Sequence, residues 1–452
     1  MDRVLGVETE YGLSARSGGR RLSAPEAAEL LFRPLVARHR SANAFLANGG
    51  RLYLDVGAHP EYATPECRTP RQVLAAERAG DELVAGLAAQ ARELAASTGT
   101  PVSFRLFKNN VDSVGNSYGC HENYLVGRDL ELAGAVDLLT AFLVTRPVTC
   151  GAGRWQRGTF RISQRAAHLH GGLSALTTRS RPLVNTRDEP LADPARFRRL
   201  HVLAGDSNLL EPSAWLKVGT MLAVLELVDR PGGPDARLEA LRLADPLAAL
   251  RQVADDPLAR LELADGRQLS AVEVQRAHLE LAGDHAEPAL AALWARVLDA
   301  VGAGEEETVA GEVEWVAKRR LLTAFRRRHG EEATEGRLAQ LDLAFHELGG
   351  TFRVLEAGGA VTRLTTPEEV AAARVAPPPD TRAAARAAVV AAAENASVRA
   401  TVDWQSCTVH DLAGADGRPA DRTLGLPDPL DPVPAGLDDL LAALADAPPT
   451  GS

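Results

Sequence analysis

The sequence predicts an α+β fold: an antiparallel sheet backed by helices, followed by a small C-terminal α/β domain. Two observations predict it. Short segments in which apolar and polar residues alternate occur mainly in the first 200 residues, as in strands with one buried face. Stretches with apolar residues at helical spacing dominate from about residue 213 onward. The proline run 377–379 predicts a linker, which gives domains at 1–375 and 376–452.

The elements follow in order from these patterns. Ser23 and Thr69 each stand three residues before a Glu or Gln and next to a proline-containing first turn, which indicates helix starts. The predicted strands are 4–12, two extended pieces within 51–64, 101–108, 119–126, short strands within 151–200, and 400–404. The predicted helices are 24–38, 70–97, 130–143, 213–229, 271–282, 287–302, 310–328, 334–347, 381–395 and 437–445.

Composition limits the class of protein. Of 452 residues, 45% are apolar and 24% are charged, which is typical of a soluble globular protein. The sequence contains no apolar run of 18 residues and begins directly with a strand pattern, so we expect neither a signal peptide nor a membrane span. Cys67, Cys120, Cys150 and Cys407 lack metal-type spacing, which favours free thiols in a reducing cytoplasm.

Charge is distributed unevenly along the chain. The net charge of -10 argues against general nucleic-acid binding. Residues 151–200 nevertheless contain ten arginines and only three acidic residues, which predicts contact with phosphate or with an acidic partner. The whole chain has only three lysines, so a genomic preference for arginine explains the choice of residue but not its clustering. The arginines are at positions 154, 157, 161, 165, 179, 181, 187, 196, 198 and 199.

Two predicted strands place unusual polar groups on one face. Side chains alternate between the faces of a strand, so Glu8 and Glu10 share a face, as do Arg51, Tyr53 and Asp55. Two neighbouring carboxylates repel each other unless a cation lies between them, and a divalent metal ion serves that purpose. The alternative is an edge strand whose acids face water.

A third polar element lies at residues 108–124. A polar loop leads into the strand at 119–126, where His121 and Asn123 share a face. The pattern is compatible with contact to a ligand or nucleotide. It is equally compatible with a buried histidine that is satisfied by neighbouring groups, and the spacing alone leaves both open.

Longer motifs add a family resemblance. The segments 8–12, 51–55, 59–62, 117–124, 185–190 and 402–404 together resemble the Pup ligase and deamidase/depupylase family, over essentially the whole chain. That family is related to glutamine synthetase and the carboxylate–amine ligases. The resemblance therefore implies a glutamine-synthetase-like curved antiparallel sheet that carries an ATP and metal site.

The resemblance also implies a reaction. A ligase of this family uses ATP and Mg²⁺ to phosphorylate the side-chain carboxylate of the C-terminal glutamate of Pup, a small, acidic, disordered protein. A lysine of a target protein then attacks the acyl phosphate, and the isopeptide bond marks the target for proteasomal degradation. We expect Pup to lie in a basic groove on the outer face of the sheet, with side chains from 151–200.

The motif positions imply roles for individual residues. Asp55 matches the family's catalytic base, which takes a proton from the incoming lysine. The implied magnesium ligands are Glu8, Tyr53 and Glu61, with Glu10 and His121 as further metal candidates by analogy with glutamine synthetase. The implied ATP contacts are Arg51, Thr64 and Trp404, and from the arginine cluster we expect Arg187 and Arg199 to stabilise phosphate.

Three alternatives remain at this point. A depupylase or deamidase would use the same scaffold, but such sequences carry a longer insertion before the Arg51 strand, and here only 38 residues separate Gly12 from Arg51. A non-catalytic homologue would be expected to have lost Asp55 or the glutamates. A small-molecule carboxylate–amine ligase of the glutamate–cysteine type is the third alternative. Competition by free glutamate would favour it, and an acidic groove partner of peptide length argues against it. We favour the Pup ligase reaction.

Overall fold

The structure is a computed structural model that describes residues 2–55, 57–112, 115–174, 181–230, 232–413 and 418–447. Its strands are β1 Leu5–Glu10, β2 Gly12–Ser17, β3 Arg20–Arg21, β4 Asn43–Phe45, β5 Arg51–Asp55, β6 His59–Ala63, β7 Val102–Phe107, β8 Cys120–Gly127, β9 Arg154–Gln156, β10 Thr159–Arg161, β11 Gly171–Ser174, β12 Pro182–Asn185, β13 Phe197–Val202, β14 Arg260–Glu262, β15 Gln268–Ser270, β16 Ala400–Val402, β17 Ser406–Ala413 and β18 Pro419–Gly425.

One large sheet organises the molecule. Its eight strands lie in the order β11-β12-β13-β8-β1-β6-β5-β4, and each neighbouring pair is antiparallel except β11 with β12. A smaller sheet, β3-β2-β7, lies beside it. The large antiparallel sheet backed by helices confirms the predicted fold class.

Helices cover one face of this sheet. The helices that the structure describes are α1 Ala24–His39, α2 Pro70–Ser97, α3 Leu132–Thr145, α4 Pro147–Cys150, α5 Glu211–Val228, α6 Pro246–Asp255, α7 Ala271–Ala282, α8 Pro288–Gly302, α9 Glu314–His329, α10 Glu335–Phe345, α11 Thr351–Ala357, α12 Pro367–Val375, α13 Ala383–Asn395 and α14 Leu437–Ala445, with short 3₁₀ turns between some of them. Among them, α2 and α3 contact strands of the large sheet. Val7 and Cys120 point into the same buried core as α3 and α5. The other face of β1 and β8 is therefore left for polar side chains.

Buried ion pairs fix the orientation of the central strands. Arg146, which directly follows α3, donates two hydrogen bonds to Glu122 of β8, at 2.7 Å and 2.9 Å, and both side chains are buried. Lys108 pairs with Glu77 and Asp81 of α2. Buried charges must be paired to be tolerated, so these contacts specify which face of β8 meets the helices. His121, one residue before Glu122, is thereby turned to the opposite face.

The C-terminal residues form a small unit with a core of their own. In this unit α13 and α14 pack with the three-stranded sheet β16-β17-β18 around buried residues that include Val389, Cys407 and Leu440. Two arginines of this unit, Arg382 and Arg386, bind Glu66 just after β6. The boundary at residue 376 stays a prediction.

Most predicted elements are present, with two kinds of difference. Both predicted capping boxes are present: Ser23 N–H donates to Glu26, and Thr69 and Gln72 bond reciprocally. The helix predicted over 310–328 begins only at Glu314, because the backbone at Val313 is extended, with φ -111° and ψ 118°. Residues 306–309, before it, form a separate 3₁₀ turn. The strands β2, β3, β4, β14, β15, β17 and β18 and the helices α4, α6, α11 and α12 were missed. Most of these are short, but β17 and β18 have eight and seven residues and lie in a segment for which no strand was predicted. None of the helices in the described ranges is long and apolar enough to span a bilayer.

Candidate active site

The polar face of the large sheet gathers residues from five strands. Strand pairing places Glu10 directly opposite Glu61, and Glu61 directly opposite Tyr53. On its other side β1 pairs with β8, so that Glu8 lies opposite His121. The register therefore joins residues of the predicted motifs that are far apart in sequence into one surface.

A carboxylate cluster occupies one end of this surface. Glu10, Asp55 and Glu61 each place an oxygen within 4.8 Å of the others. Glu61 is 2% exposed, and its pKa is raised well above the ordinary value by burial and by the nearby charges of Glu8 and Glu10. Burial and the negative charge of Glu8 also raise the pKa of the Tyr53 hydroxyl. Such a site favours a bound cation, which would relieve the repulsion.

A second cluster combines Glu8 with two histidines. His121 Nδ1 lies 3.2 Å from Glu8, and His201 Nε2 lies 3.9 Å from the same carboxylate. Burial would raise the pKa of Glu8, but the hydrogen bond with His121 and the charges around it hold that pKa well below its usual range. Burial lowers the pKa of His201 to about 3, so its imidazole is neutral near pH 7. Asn123 completes the group by donating to Glu8 at 3.1 Å.

The two clusters differ in the ion they suit. The first offers only carboxylate oxygens, and Mg²⁺ prefers hard oxygen ligands, so Glu10, Asp55 and Glu61 fit that ion. The second offers two imidazole nitrogens, which suit transition metals better. The predicted ligand set thus falls into two adjacent groups, with Glu8 and His121 in the second. Tyr53 is next to Glu61 in the first.

Sequence reasoning missed His201. It lies on β13, directly opposite Asn123 in the strand register, and the residue is 8% exposed. The arginine-rich segment 151–200 predicted short strands without bounds, and so the alternation of Arg199 with His201 on one face was not identified. A strand pattern over 197–202 is the signal that would have found it.

A mainly apolar pocket adjoins the second cluster. Its wall includes Gly6, where an added Cβ would lie 3.1 Å from Thr64 Oγ1, and so the wall tolerates only a hydrogen there without rearrangement. Three of the residues predicted to contact ATP line it, Thr64, Arg199 and Trp404, and so does Glu8, a predicted magnesium ligand. Trp404 comes from the C-terminal unit and packs edge-on against Phe45 at 4.9 Å. The two parts of the chain therefore form this pocket together.

The predicted arginines take different positions. Arg199 is largely buried, donates to Asn123 at 3.1 Å and lies 3.9 Å from Glu8. Arg187 is not among the residues lining the pocket; its side chain is half exposed and pairs with Glu189 at 3.3 Å. Arg51 stacks over the Tyr53 ring at 4.3 Å and donates to Asn43. Of the three predicted arginines, Arg199 is thus the one that the structure brings into the pocket, which Arg382 also lines.

The remaining arginines of 151–200 are dispersed. Arg161 pairs with Asp255 and Arg196 pairs with Asp428. Arg165 is buried and donates to the carbonyl of Tyr118. Arg179 lies outside the described residues. Because acids from distant segments neutralise two of these charges and Arg165 is buried, the local excess in the sequence overstates the positive charge on the surface.

Fold and site together define the class of protein. A largely antiparallel sheet presents an acidic cluster with the geometry to hold a metal ion beside an apolar pocket, an arrangement that suits a metal-assisted enzyme. The family model described as Pup-ligase protein matches residues 3–408. The chain belongs to the Pup-ligase family.

Named relatives cover nearly the whole chain. It is 43% identical to Pup–protein ligase 1 of Rhodococcus erythropolis, over 98% of this chain and 99% of the relative. It is equally similar, at 43%, to the Pup–protein ligase of Xylanimonas cellulosilytica, with the same coverage.

Two solved structures are also similar. One is a crystal structure of the complex between the prokaryotic ubiquitin-like protein Pup and its ligase PafA. It matches with a TM-score of 0.89 and 38% identity, over 98% of this chain and 92% of that chain. The other is the Pup ligase PafA in complex with ADP, with a TM-score of 0.81 and 39% identity, over 94% of this chain and 95% of that chain.

Proposed function

We propose that this protein is an ATP-dependent Pup–protein ligase, which joins the side-chain carboxylate of the C-terminal glutamate of Pup to a lysine of a target protein. The observation that carries the proposal is the Glu10–Asp55–Glu61 cluster beside the Thr64–Arg199–Trp404 pocket. Relatives named Pup–protein ligase, similar to the chain nearly end to end, support ligation over the depupylase alternative. The related ligase solved with Pup supports Pup as the partner.

The pocket is where we place the nucleotide. The related ligase solved with ADP supports ATP as a substrate. Trp404 and the apolar wall offer a surface for the base, and Arg199 offers a fixed guanidinium for phosphate oxygens. Thr64 lines the pocket, and Arg51 lies opposite Ala63, the residue before Thr64, in the strand register. Arg187 does not line the pocket, and it would meet phosphate only if its side chain left Glu189.

The carboxylate cluster is where we place Mg²⁺. When bound, the ion would supply positive charge for the phosphates and for the buried acids. Glu61 and Glu10 are the protein ligands that the geometry supports best, with Tyr53 beside them. Glu8 and His121 hold the neighbouring position and are already hydrogen-bonded to each other.

Asp55 is the residue that we assign as the base. A lysine ammonium is not a nucleophile until it loses a proton, and a carboxylate at the entry of an acidic cluster both attracts the ammonium and accepts that proton. Asp55 ends β5 and is partly exposed, whereas Glu10 and Glu61 are buried deeper. Among the three acids, it is therefore the one that an incoming side chain reaches first.

Pup and the cell compartment complete the proposal. We place the acidic Pup chain against arginines of 151–200. If replacing three of these arginines by acidic residues left the affinity for Pup unchanged, that placement would be wrong.

The proposed compartment is the cytoplasm. The four cysteines are buried free thiols, which supports work in a reducing compartment: Cys67, Cys120, Cys150 and Cys407. Targets modified there would be marked for proteasomal degradation.

The test is a conjugation assay. The purified protein is mixed with ATP, Mg²⁺, a Pup that ends in glutamate and a lysine-bearing target, and in parallel with a preformed conjugate. We expect the target to gain one Pup mass with the wild type and not with Asp55→Asn. Release of Pup from the conjugate without any ligation would instead identify a depupylase.

A further inference from the structure

The three lysines of this chain share one property. Lys108 is 1% exposed, and Lys217 and Lys318 are each 0% exposed. Lysine and arginine together number 50 in this chain, and all of them except these three are arginines. No lysine amine is therefore presented on the surface of the folded chain, which is unusual because lysine is among the residues least often buried.

Each buried amine is also held by several partners. Lys108 Nζ lies 3.0 Å from Glu77 and 3.2 Å from Asp81. Lys217 Nζ donates to the carbonyl of Asp206 at 2.9 Å and to Cys120 Sγ at 3.3 Å.

Lys318 Nζ donates to the carbonyl of Gly153 at 2.6 Å and pairs with Asp342 at 3.1 Å. As with the other two lysines, exposing this amine would break these contacts and open the core around it.

The protonation of the amines adds to their protection. Burial opposes the charge of Lys108, but Asp81 and Glu77 outweigh it, and the pKa is raised. The pKa of Lys217 is raised as well, against the same opposing effect of burial. Both amines stay protonated and non-nucleophilic. Burial lowers the pKa of Lys318, but that amine remains fully enclosed.

We propose that Lys108, Lys217 and Lys318 are conditional acceptor sites for the enzyme's own reaction, closed in the folded chain and open in an unfolded copy. The inference rests on the proposed function. A folded copy then cannot be a target for itself or for its neighbours through a lysine. An unfolded copy exposes three acceptors and becomes an ordinary target.

The chemical step is the same as for any other target. The neutral ε-amine of an unfolded copy attacks the activated glutamate carbonyl of Pup, a C–N bond forms, and the C–O bond to phosphate breaks. Inorganic phosphate leaves and the amine proton passes to Asp55 of the folded enzyme. The folded copy fails at the first requirement, since its amines cannot reach another molecule's active site.

The test compares four lysine acceptors in parallel reactions with ATP, Mg²⁺ and a Pup ending in glutamate. They are the wild-type enzyme, Arg327→Lys on the exposed face of α9, Arg251→Lys on the exposed face of α6, and a copy unfolded and alkylated at its four buried cysteines so that it cannot repack. A lysine-bearing target is present in every reaction and reports that the enzyme is active.

We expect no conjugate at any lysine of the folded wild type, and a shift of one Pup mass for each of the other three acceptors. Peptide mass spectrometry would place the modification at the new lysine in each variant and at the three native lysines in the alkylated copy. Conjugation of the folded wild type at a native lysine would overturn the proposal, as would unmodified variants or an unmodified alkylated copy beside a conjugated target.

Reductive methylation separates this inference from the proposed function. The native protein treated with formaldehyde and a borane should methylate none of its lysines, and the protein treated in denaturant should methylate all three. Labelling of the native lysines would overturn the inference even if the target is conjugated. An unconjugated target would count against the proposed function, while methylation would still report on the burial of the amines.

Discussion

Glu10 and Glu61 lie directly opposite each other on adjacent antiparallel strands, and both side chains are buried. Like charges at such paired positions are destabilising, so the protein alone would not favour this arrangement. Asp55 adds a third carboxylate within 4.8 Å. The relationship is accounted for if the sheet is built to hold a divalent cation at this point.

Magnesium dependence tests that relationship. Glu61→Gln removes one charge and one strong ligand while keeping the shape of the side chain. We expect the Mg²⁺ concentration needed for half-maximal ADP formation to rise by about tenfold or more. Glu29→Gln, on the exposed surface of α1, is the matched control and should leave the Mg²⁺ titration unchanged. An unchanged titration in Glu61→Gln would contradict the metal assignment.

Gly119 offers a steric test of the same face. A Cβ at this position would lie 2.5 Å from Glu10 Oε1 and closer still to the His121 ring, so one of the two side chains must move. We expect Gly119→Ala to abolish most ADP formation and conjugation. Gly86→Ala in α2 meets nothing within 4 Å and should keep full activity, with a gain of about 0.5–1 kcal/mol in the free energy of unfolding. Full activity in Gly119→Ala would contradict the placement of the site.

The sequence predicted the local features of this site better than its assembly. Alternation placed Glu8 with Glu10, and Arg51 with Tyr53 and Asp55, and the structure keeps both sets on one face. The pairing of β1 with both β6 and β8 depends on long-range packing, and no local pattern specifies it. For this reason the division into two clusters and the contribution of His201 emerged only from the fold.

The arginine-rich segment 151–200 is a case in which a local pattern predicted more than the fold provides. A local excess of positive charge in 151–200 predicted a basic surface, but the acids that pair with Arg161 and Arg196 come from residues 255 and 428. Charge in a segment is set by sequence, whereas charge on a surface depends on which distant segments pack there. Arg199 reaches the pocket because its strand, β13, pairs with β8 and so places it beside Asn123 and Glu8, which line the same pocket.

The contact between Glu66 and two arginines predicts a dependence of stability on pH. Burial would raise the pKa of Glu66, but Arg386 and Arg382 lower it to about 2. Because the pKa of Glu66 is lower in the folded protein than its ordinary value of 4.5, the ionised carboxylate stabilises the fold above pH 4.5. This contribution is lost as the pH falls from 4.5 towards 2. Urea unfolding of the wild type should show this loss.

Glu66→Gln isolates the contribution of this contact. It leaves the buried Arg386 and Arg382 without their counter-charge, so we expect about 3 to 5 kcal/mol less free energy of unfolding at pH 7. The variant should also lose less stability than the wild type between pH 4.5 and 2. Glu29→Gln, whose partner Arg33 is exposed, should unfold at the wild-type urea concentration. Equal stability of Glu66→Gln and wild type at pH 7 would contradict the role of this ion pair.

Arg199 and Arg187 provide a matched pair for the nucleotide pocket. Both contact Glu189, but only Arg199 lines the pocket. We expect Arg199→Gln to raise the KM for ATP by about tenfold or more, which corresponds to the loss of one charge-assisted hydrogen bond of roughly 1.5–3 kcal/mol. Arg187→Gln should change it much less. The KM is measured by ADP formation with saturating Pup. Equal increases in the KM for ATP in the two variants would contradict the placement of the phosphates beside Arg199.

The role of Asp55 is the central claim, and hydroxylamine trapping tests it most directly. Because Asp55 lies in the same cluster as Glu10 and Glu61, its carboxylate could serve either the metal or the lysine. Asp55→Asn is mixed with ATP, Mg²⁺ and Pup, and activated Pup is trapped as the hydroxamate, with no lysine acceptor needed. We predict that the variant still forms the hydroxamate and ADP but makes no conjugate with a lysine-bearing target. Loss of the hydroxamate together with the conjugate would contradict the account and place Asp55 among the metal ligands.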